Sequence, residues 1–379
     1  MASDNIRRLS LCGAFLGAVS FAFACDTGTS ASQPSNSQDP GQDPEQNSEV
    51  DWRRLLDSLP VVETPLSPVV MPADLRSHAE QTGESFEARW AMTSAKGQSF
   101  TAFAQLDRLK LKENVDSRSS WSYNSVARAN VATGSSDDYV LDVHEVFSRV
   151  ALGLSDSRGD EFIVGSTSLS LGQSDSCKRN LEFLHHDNQA ATFTLSAKAD
   201  RCPQSVSLGT INQWEFDGIP AVGLLAGEKV EGVLWLSHRW GTAANLQSAV
   251  VLDQLRLVVR NSVGISQWLS VTRSKRLSGR GPKTVLATVR DDKGDKRDAI
   301  VEWFDHGEVI SSATGNVYPE TIRIQELSVG MDIVLSPVVR LSEIRDSLQT
   351  RWSGALDVSG SHTGLAYLDF LPITQKETN

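Results

Sequence analysis

The stretch "VEGVLWLSHRWGT" (residues 230–242) decides how this chain is read, because an alternating apolar run carries a histidine and an arginine between two tryptophans. A β-strand has a side-chain period of two, so Leu236, His238 and Trp240 share one face while Ser237 and Arg239 share the other. Two readings of His238 follow. It lines a cavity, or it is a core histidine satisfied by a hydrogen bond.

The same period continues on both sides of this stretch. "DDYVLDVHEVF", "DEFIVGSTSLSLG", "ATFTLSAKA", "LDQLRLVVR", "ISQWLSVTR", "TVLATVR", "TIRIQEL" and "MDIVLSPVV" are strand-length pieces separated by Gly, Asn, Asp and Ser clusters. The body is therefore expected to be all-β. Strands at this spacing, with no helical pattern between them, suit closed barrels or sandwiches. Helical periodicity is confined to "DWRRLLDSL" (51–59) and "LSEIRDSLQ" (341–349), both short. "DDKGDK" (291–296) is predicted to turn a hairpin on Gly294. The nine tryptophans are scattered from Trp52 to Trp352, which suits core positions better than a sugar-stacking platform.

At the N-terminus, Arg7 and Arg8 precede "LSLCGAFLGAVSFAFAC" (9–25), an apolar run too short for a stable span and read as a secretory signal over residues 1–24. "AFAC" (22–25) resembles a bacterial lipoprotein box, in which the Cys25 thiol receives the lipid. The same residues also satisfy the small-x-small rule for ordinary cleavage after Ala24. The Ser, Gln, Asp and Pro tract that follows, residues 25–50, cannot bury a core and suits a tether, which favours lipidation. Localisation is therefore expected at a bacterial cell envelope, with the membrane reached through the lipid anchor.

With Cys12 leaving in the signal and Cys25 used at the anchor, Cys177 and Cys202 remain and are expected to pair in an exported chain. Zinc is not expected there, because no CxxC spacing occurs and "HHD" (185–187) has no further close ligand. Loss of Asp4, Arg7 and Arg8 with the signal moves the formal net charge from −11 to −12, which argues against nucleic acid as a partner. The residues beyond the tether exceed what one core usually holds and favour two domains, at 51–231 and 232–379.

Several motifs in order carry a resemblance. "MPADLRSHAEQTGESFEARWAMTSAKGQSFTAFAQL" (71–106), "FSRVALGLSD" (147–156), "WLSHRWG" (235–241), "TGNVYPETIRIQELSVGMDIVLSPVV" (314–339), "RWSGALDVSG" (351–360) and "TGLAYLDFLP" (363–372) are similar, co-linearly, to segments of the lipocalin-like AttH family that includes carotenoid 1,2-hydratase. The resemblance implies two tandem lipocalin-like β-barrels and chemistry on a large apolar metabolite, with water adding to an isoprenoid double bond. No cofactor or metal is implied.

Carried over residue by residue, the resemblance makes His238, Asp74 and His78 the candidate catalytic groups, and Trp240, Trp90 and Trp235 the candidate ligand-binding aromatics. It implies that His238 and Trp240 face the interior of the second barrel near its junction with the first. The family's Asp and Glu beside the central histidine are replaced here by Ser237 and Arg239, Leu75 stands for its first histidine, and Asp253 is the nearest substitute for a later acid. Glu302, His306 and Glu308 would share a strand face, more in keeping with solvation than with metal, given one imidazole. Two functions stay open: a hydratase-like enzyme on an isoprenoid or lipid-like substrate, and a lipocalin-like binding or structural protein whose hydratase residues are degenerate.

Overall fold

Period-two alternation also organises the computed structural model, which describes residues 66–370 apart from 79–80, 111–124, 150–154, 158–159, 173–175, 187–192, 208–209, 243–245, 247–252, 274–282 and 346–349. The expected signal, the tether, Cys25 and "DWRRLLDSL" lie outside the described residues.

The first sheet contains Gly83–Ser94 (β1), Ser99–Lys110 (β2), Ser125–Ser135 (β3), Asp142–Arg149 (β4), Ser155–Ser157 (β5), Glu161–Val164 (β6), Thr167–Ser170 (β7), Arg179–His185 (β8), Phe193–Ala199 (β9), Gln204–Ser207 (β10), Ile211–Leu225 (β11) and Glu228–Gly241 (β12). It runs β4-β3-β2-β1-β12-β11-β9-β8-β7-β6-β5, with β10 on β11, and curls so that β3 and β4 approach β6. The second contains Asp253–Asn261 (β13), Ser266–Arg273 (β14), Lys283–Asp291 (β15), Lys296–His306 (β16), Thr321–Glu326 (β19), Met331–Pro337 (β20), Glu343–Arg345 (β21), Thr350–Gly360 (β22) and His362–Phe370 (β23), while Val309–Ile310 (β17) and Val317–Tyr318 (β18) pair separately. It runs β20-β19-β16-β15-β14-β13-β23-β22-β21 and closes through β20 on β22. The protein is thus all-β, built from two barrel-like sheets.

Turn chemistry behaves as its residues dictate. At 291–296 Gly294 takes φ 92°, and the Asp291 carboxylate accepts the backbone N–H groups of Lys293 and Asp295. Two expectations are corrected. Within "LSEIRDSLQ", Glu343–Arg345 forms strand β21, because Ile344 packs between the sheets instead of lining a helix face. A domain boundary at 231/232 would cut β12, whose residues pair along their length with β1 and β11; the first sheet ends at Gly241 and the second begins at Asp253.

Burial separates two kinds of strand. β8 and β9 bury alternate residues and turn the others outward, as strands with one solvated face do. β1 is buried on both faces, and so is β12 from Leu234 to His238. One face of this wall, with Phe86, Ala88, Trp90, Leu236 and Trp240, belongs to the core of the first barrel. The other face, with Ala91 and Trp235, packs on Ala355 and Tyr367 of the second sheet. A fully buried aromatic on either face contributes about 1.5–3 kcal/mol.

Charges are sealed into the same junction. Arg89 donates through Nε to Asp369 Oδ2 at 2.5 Å and also pairs with Glu87, while Arg256 bonds Glu215 at 2.5 Å and Asp369 at 3.3 Å. Burial alone would raise the Asp369 carboxyl, but the Arg89, Arg351 and Arg256 guanidinium groups hold it below its ordinary range. Ions this deep are tolerated only when paired.

Candidate functional site

Residues 66–78 lie over the end of the first barrel where β1 and β11 begin and β12 ends. Leu66, Val69 and Met71 pack on the barrel core, and Asn212 Nδ2 holds the Ser67 carbonyl at 2.7 Å. A 3-10 turn at Ala73–Leu75 follows, with Leu75 buried. The Asp74 carboxylate accepts the Val70 N–H at 2.6 Å, and the Asp74 carbonyl accepts Trp214 Nε1–H at 2.8 Å. This turn delivers Ser77 and His78 to the barrel end.

Glu84, near the start of β1, is where these elements meet. Its Oε1 accepts the His78 backbone N–H at 2.7 Å and lies 3.0 Å from His238 Nε2; its Oε2 accepts the Ser77 hydroxyl at 2.9 Å and the Arg108 guanidinium. Sheet register explains the meeting of residues 154 apart in sequence: β1 and β12 are antiparallel neighbours, with Phe86 opposite His238 and Glu84 opposite Trp240. On its other side His238 faces Trp214 of β11.

Aromatic rings enclose the histidine. His238 stacks on Phe86 with ring centres 3.9 Å apart and planes 3° from parallel; Trp214 approaches edge-on at 5.1 Å, and Trp240 lies 4.9 Å away. His78 stacks on Trp240 at 4.1 Å and stands 5.6 Å from His238. Both His238 and Glu84 are fully buried.

Electrostatics fixes the protons. Burial lowers the His238 pKa from 6.5 to about 4; the Glu84 hydrogen bond and charge pull it upward without reversing the shift, and His78 and Arg108 press it further down. Burial pushes the Glu84 carboxyl up, but the His238 hydrogen bond, the Arg108 charge and the His78 N–H together bring it down to about 2. At neutral pH Glu84 is a carboxylate and His238 is neutral. Because a carboxylate only accepts, His238 must carry its proton on Nε2, which leaves Nδ1 a lone-pair acceptor. Nδ1 has no hydrogen-bond partner among the described residues. A buried acceptor left in that state costs about 1–3 kcal/mol.

The structure therefore brings Asp74, His78, His238 and Trp240 together, but in the first barrel. The expected place in the second barrel is corrected, because β12 closes the first sheet. Trp90 shares the inner face with Phe86 but packs on Phe183 at 5.0 Å, away from the polar cluster. Trp235 does not join the site: one residue out of phase, it lies in the inter-sheet core 6.3 Å from Tyr367. Asp253 belongs to the second sheet, where it binds Arg273 at 3.0 Å. Arg239 pairs with Glu87 on the outer face, so it does not set the protonation of His238. Glu302, His306 and Glu308 are exposed, and no group of three metal-binding side chains occurs among the described residues.

Sequence reasoning missed Glu84. A signal was present, since alternation puts it on the face of Phe86, Ala88 and Trp90, where an isolated carboxylate demands a donor. Cys177 and Cys202 form the expected disulfide, with Cα atoms 4.6 Å apart.

No protein-family model matches the sequence, and no curated protein is detectably similar to it. In three dimensions it is similar to a protein assigned as an AttH from Nitrosomonas europaea, at 14% identity and a TM-score of 0.60, over 82% of this chain and 99% of that one. It is also similar to kievitone hydratase from Nectria haematococca, at 14% identity and a TM-score of 0.51, over 82% and 96% of the two chains. These likenesses are ones of fold.

Proposed function

We propose that this chain is an envelope lipoprotein of the AttH and carotenoid-hydratase type, whose first barrel holds a large apolar molecule, isoprenoid or lipid-like, and hydrates one of its double bonds. The observation that carries this reading is the convergence of Asp74, His78, Glu84 and His238 beside Trp240 at one barrel end. Hydration puts a proton on one alkene carbon and adds water to the other, which then gives up its second proton. His238, held by an ionised Glu84, suits the acceptor of that second proton. His78 or Asp74 would deliver the first, and the faces of Phe86, Trp214 and Trp240 favour the cation that forms between the two steps.

A non-catalytic binding role is the second reading, favoured by the complete burial of Glu84 and His238 and by the four donors that already occupy the carboxylate. One experiment separates the two. The full-length protein is purified, its bound lipid is extracted and read by mass spectrometry, and the recovered molecule is returned to the protein in 18O-water. Label in the product supports hydration, whereas a recovered ligand that takes up no label supports binding alone. Wild-type protein that carries no apolar molecule would sink both.

The anchor part of the proposal rests on residues 1–50 of the sequence and accords with the Cys177–Cys202 disulfide. Cys25→Ser is expected to move the protein from the membrane fraction to the soluble one and to abolish fatty-acid labelling. Retention in the membrane fraction counts against it.

A further inference from the structure

The unpartnered acceptor on His238 restricts what the first barrel can hold. Glu84 fixes the Nε2 proton, Phe86 covers the ring face at 3.9 Å, and Trp214 and Trp240 approach at 5.1 and 4.9 Å, so the Nδ1 lone pair is the polar feature these apolar surroundings leave unused. A hydrocarbon cannot satisfy it. A carboxylate would set its own lone pairs against Nδ1 and its charge close to that of Glu84, whose negative charge Arg108 already balances and whose Oε2 also accepts the Ser77 hydroxyl. A hydroxyl satisfies it with the O–H donating.

Resting on the reading of this barrel as an apolar-ligand site, we infer that its occupant is an apolar alcohol or phenol whose hydroxyl hydrogen is donated to His238 Nδ1. A buried water in the same place would make the same donation. An alcohol displacing that water keeps the bond, whereas an ether of the same shape loses it and leaves the nitrogen desolvated. The site thereby selects for a group that apolar shape alone does not distinguish.

The test compares farnesol with farnesyl methyl ether on the full-length protein, following quenching of tryptophan fluorescence. Wild type is expected to bind the alcohol at least about tenfold more tightly, the size of one buried hydrogen-bond partner lost. His238→Phe keeps a planar ring against Phe86 but no acceptor, and is expected to bind both probes equally, at the affinity of the ether. Should that variant fail to fold, histidine 15N spectra of wild type decide: the Nδ1 resonance of His238 should shift on adding farnesol and stay in place with the ether. Equal wild-type affinity for the two probes, an unmoved Nδ1 resonance, or a preference that survives in His238→Phe overturns the inference while leaving an apolar-ligand barrel intact. Binding of neither probe removes the ligand site and the inference together.

Discussion

At the residue scale, the Glu84–His238 pair couples the barrel to acid. His238 has its folded pKa depressed from 6.5 to about 4, so the unfolded chain binds a proton that the folded chain refuses, and the stability this confers is present above pH 6.5 and lost as pH falls to about 4. Glu84, depressed from 4.5 to about 2, adds the same sign of dependence in the lower window. Thermal melts of His238→Asn should therefore fall less steeply than those of wild type between pH 6.5 and 4; parallel curves would mean that His238 is charged in the folded protein. Removing the carboxylate is harsher. Glu84→Gln breaks the buried Glu84–Arg108 ion pair and is expected to cost about 3–5 kcal/mol by denaturant titration. The motif order made His238, Trp240, Asp74 and His78 visible, whereas Glu84 carried no motif and would have emerged only from asking what a carboxylate does on an apolar strand face.

At the scale of the element, β1 and β12 form one wall with two interiors, and parity decides which interior a side chain serves. Even positions of β12 build the site; odd positions build the junction. Arg239→Glu, which restores the charge that the resembling family carries there, should not activate the site, because it sets a second carboxylate against Glu87. We expect a loss of about 3 kcal/mol, at the low end for a broken buried pair because Arg239 keeps 27% exposure, with ligand retention unchanged in the folded fraction. Melting curves and lipid recovery on one preparation check both parts. The alternation itself was legible in "VLWLSHRW", but the destination of each face was not. Trp235 and Trp240 are equally apolar in sequence, and Tyr367, which claims Trp235 for the junction, arrives from a distant strand.

For the whole molecule, the all-β class could be read from strand spacing and the two barrels were implied by the motif resemblance, while the place where one barrel ends could not be read, since β12 runs through the expected boundary without a break in period. The disulfide joins residues at a separation of 25, a loop whose closure is worth about 3 kcal/mol. Cys177→Ser with Cys202→Ser should lower the melting temperature by that amount of stability, and reducing agent should do the same to wild type but nothing to the variant. The ladder from Gly83↔Gly241 to Ser94↔Val230 also sets an order in time. A chain delivered from its N-terminus exposes the long edge of β1 while everything up to β11 is made, and the first barrel cannot shut until β12, the last of its strands, arrives. Through that interval an unshut edge is a template for any matching strand, and the best match is β12 of a sister chain. Crowded, slowly folding copies are thus exposed to exchanging that strand, each then completing its Glu84 with the other's His238.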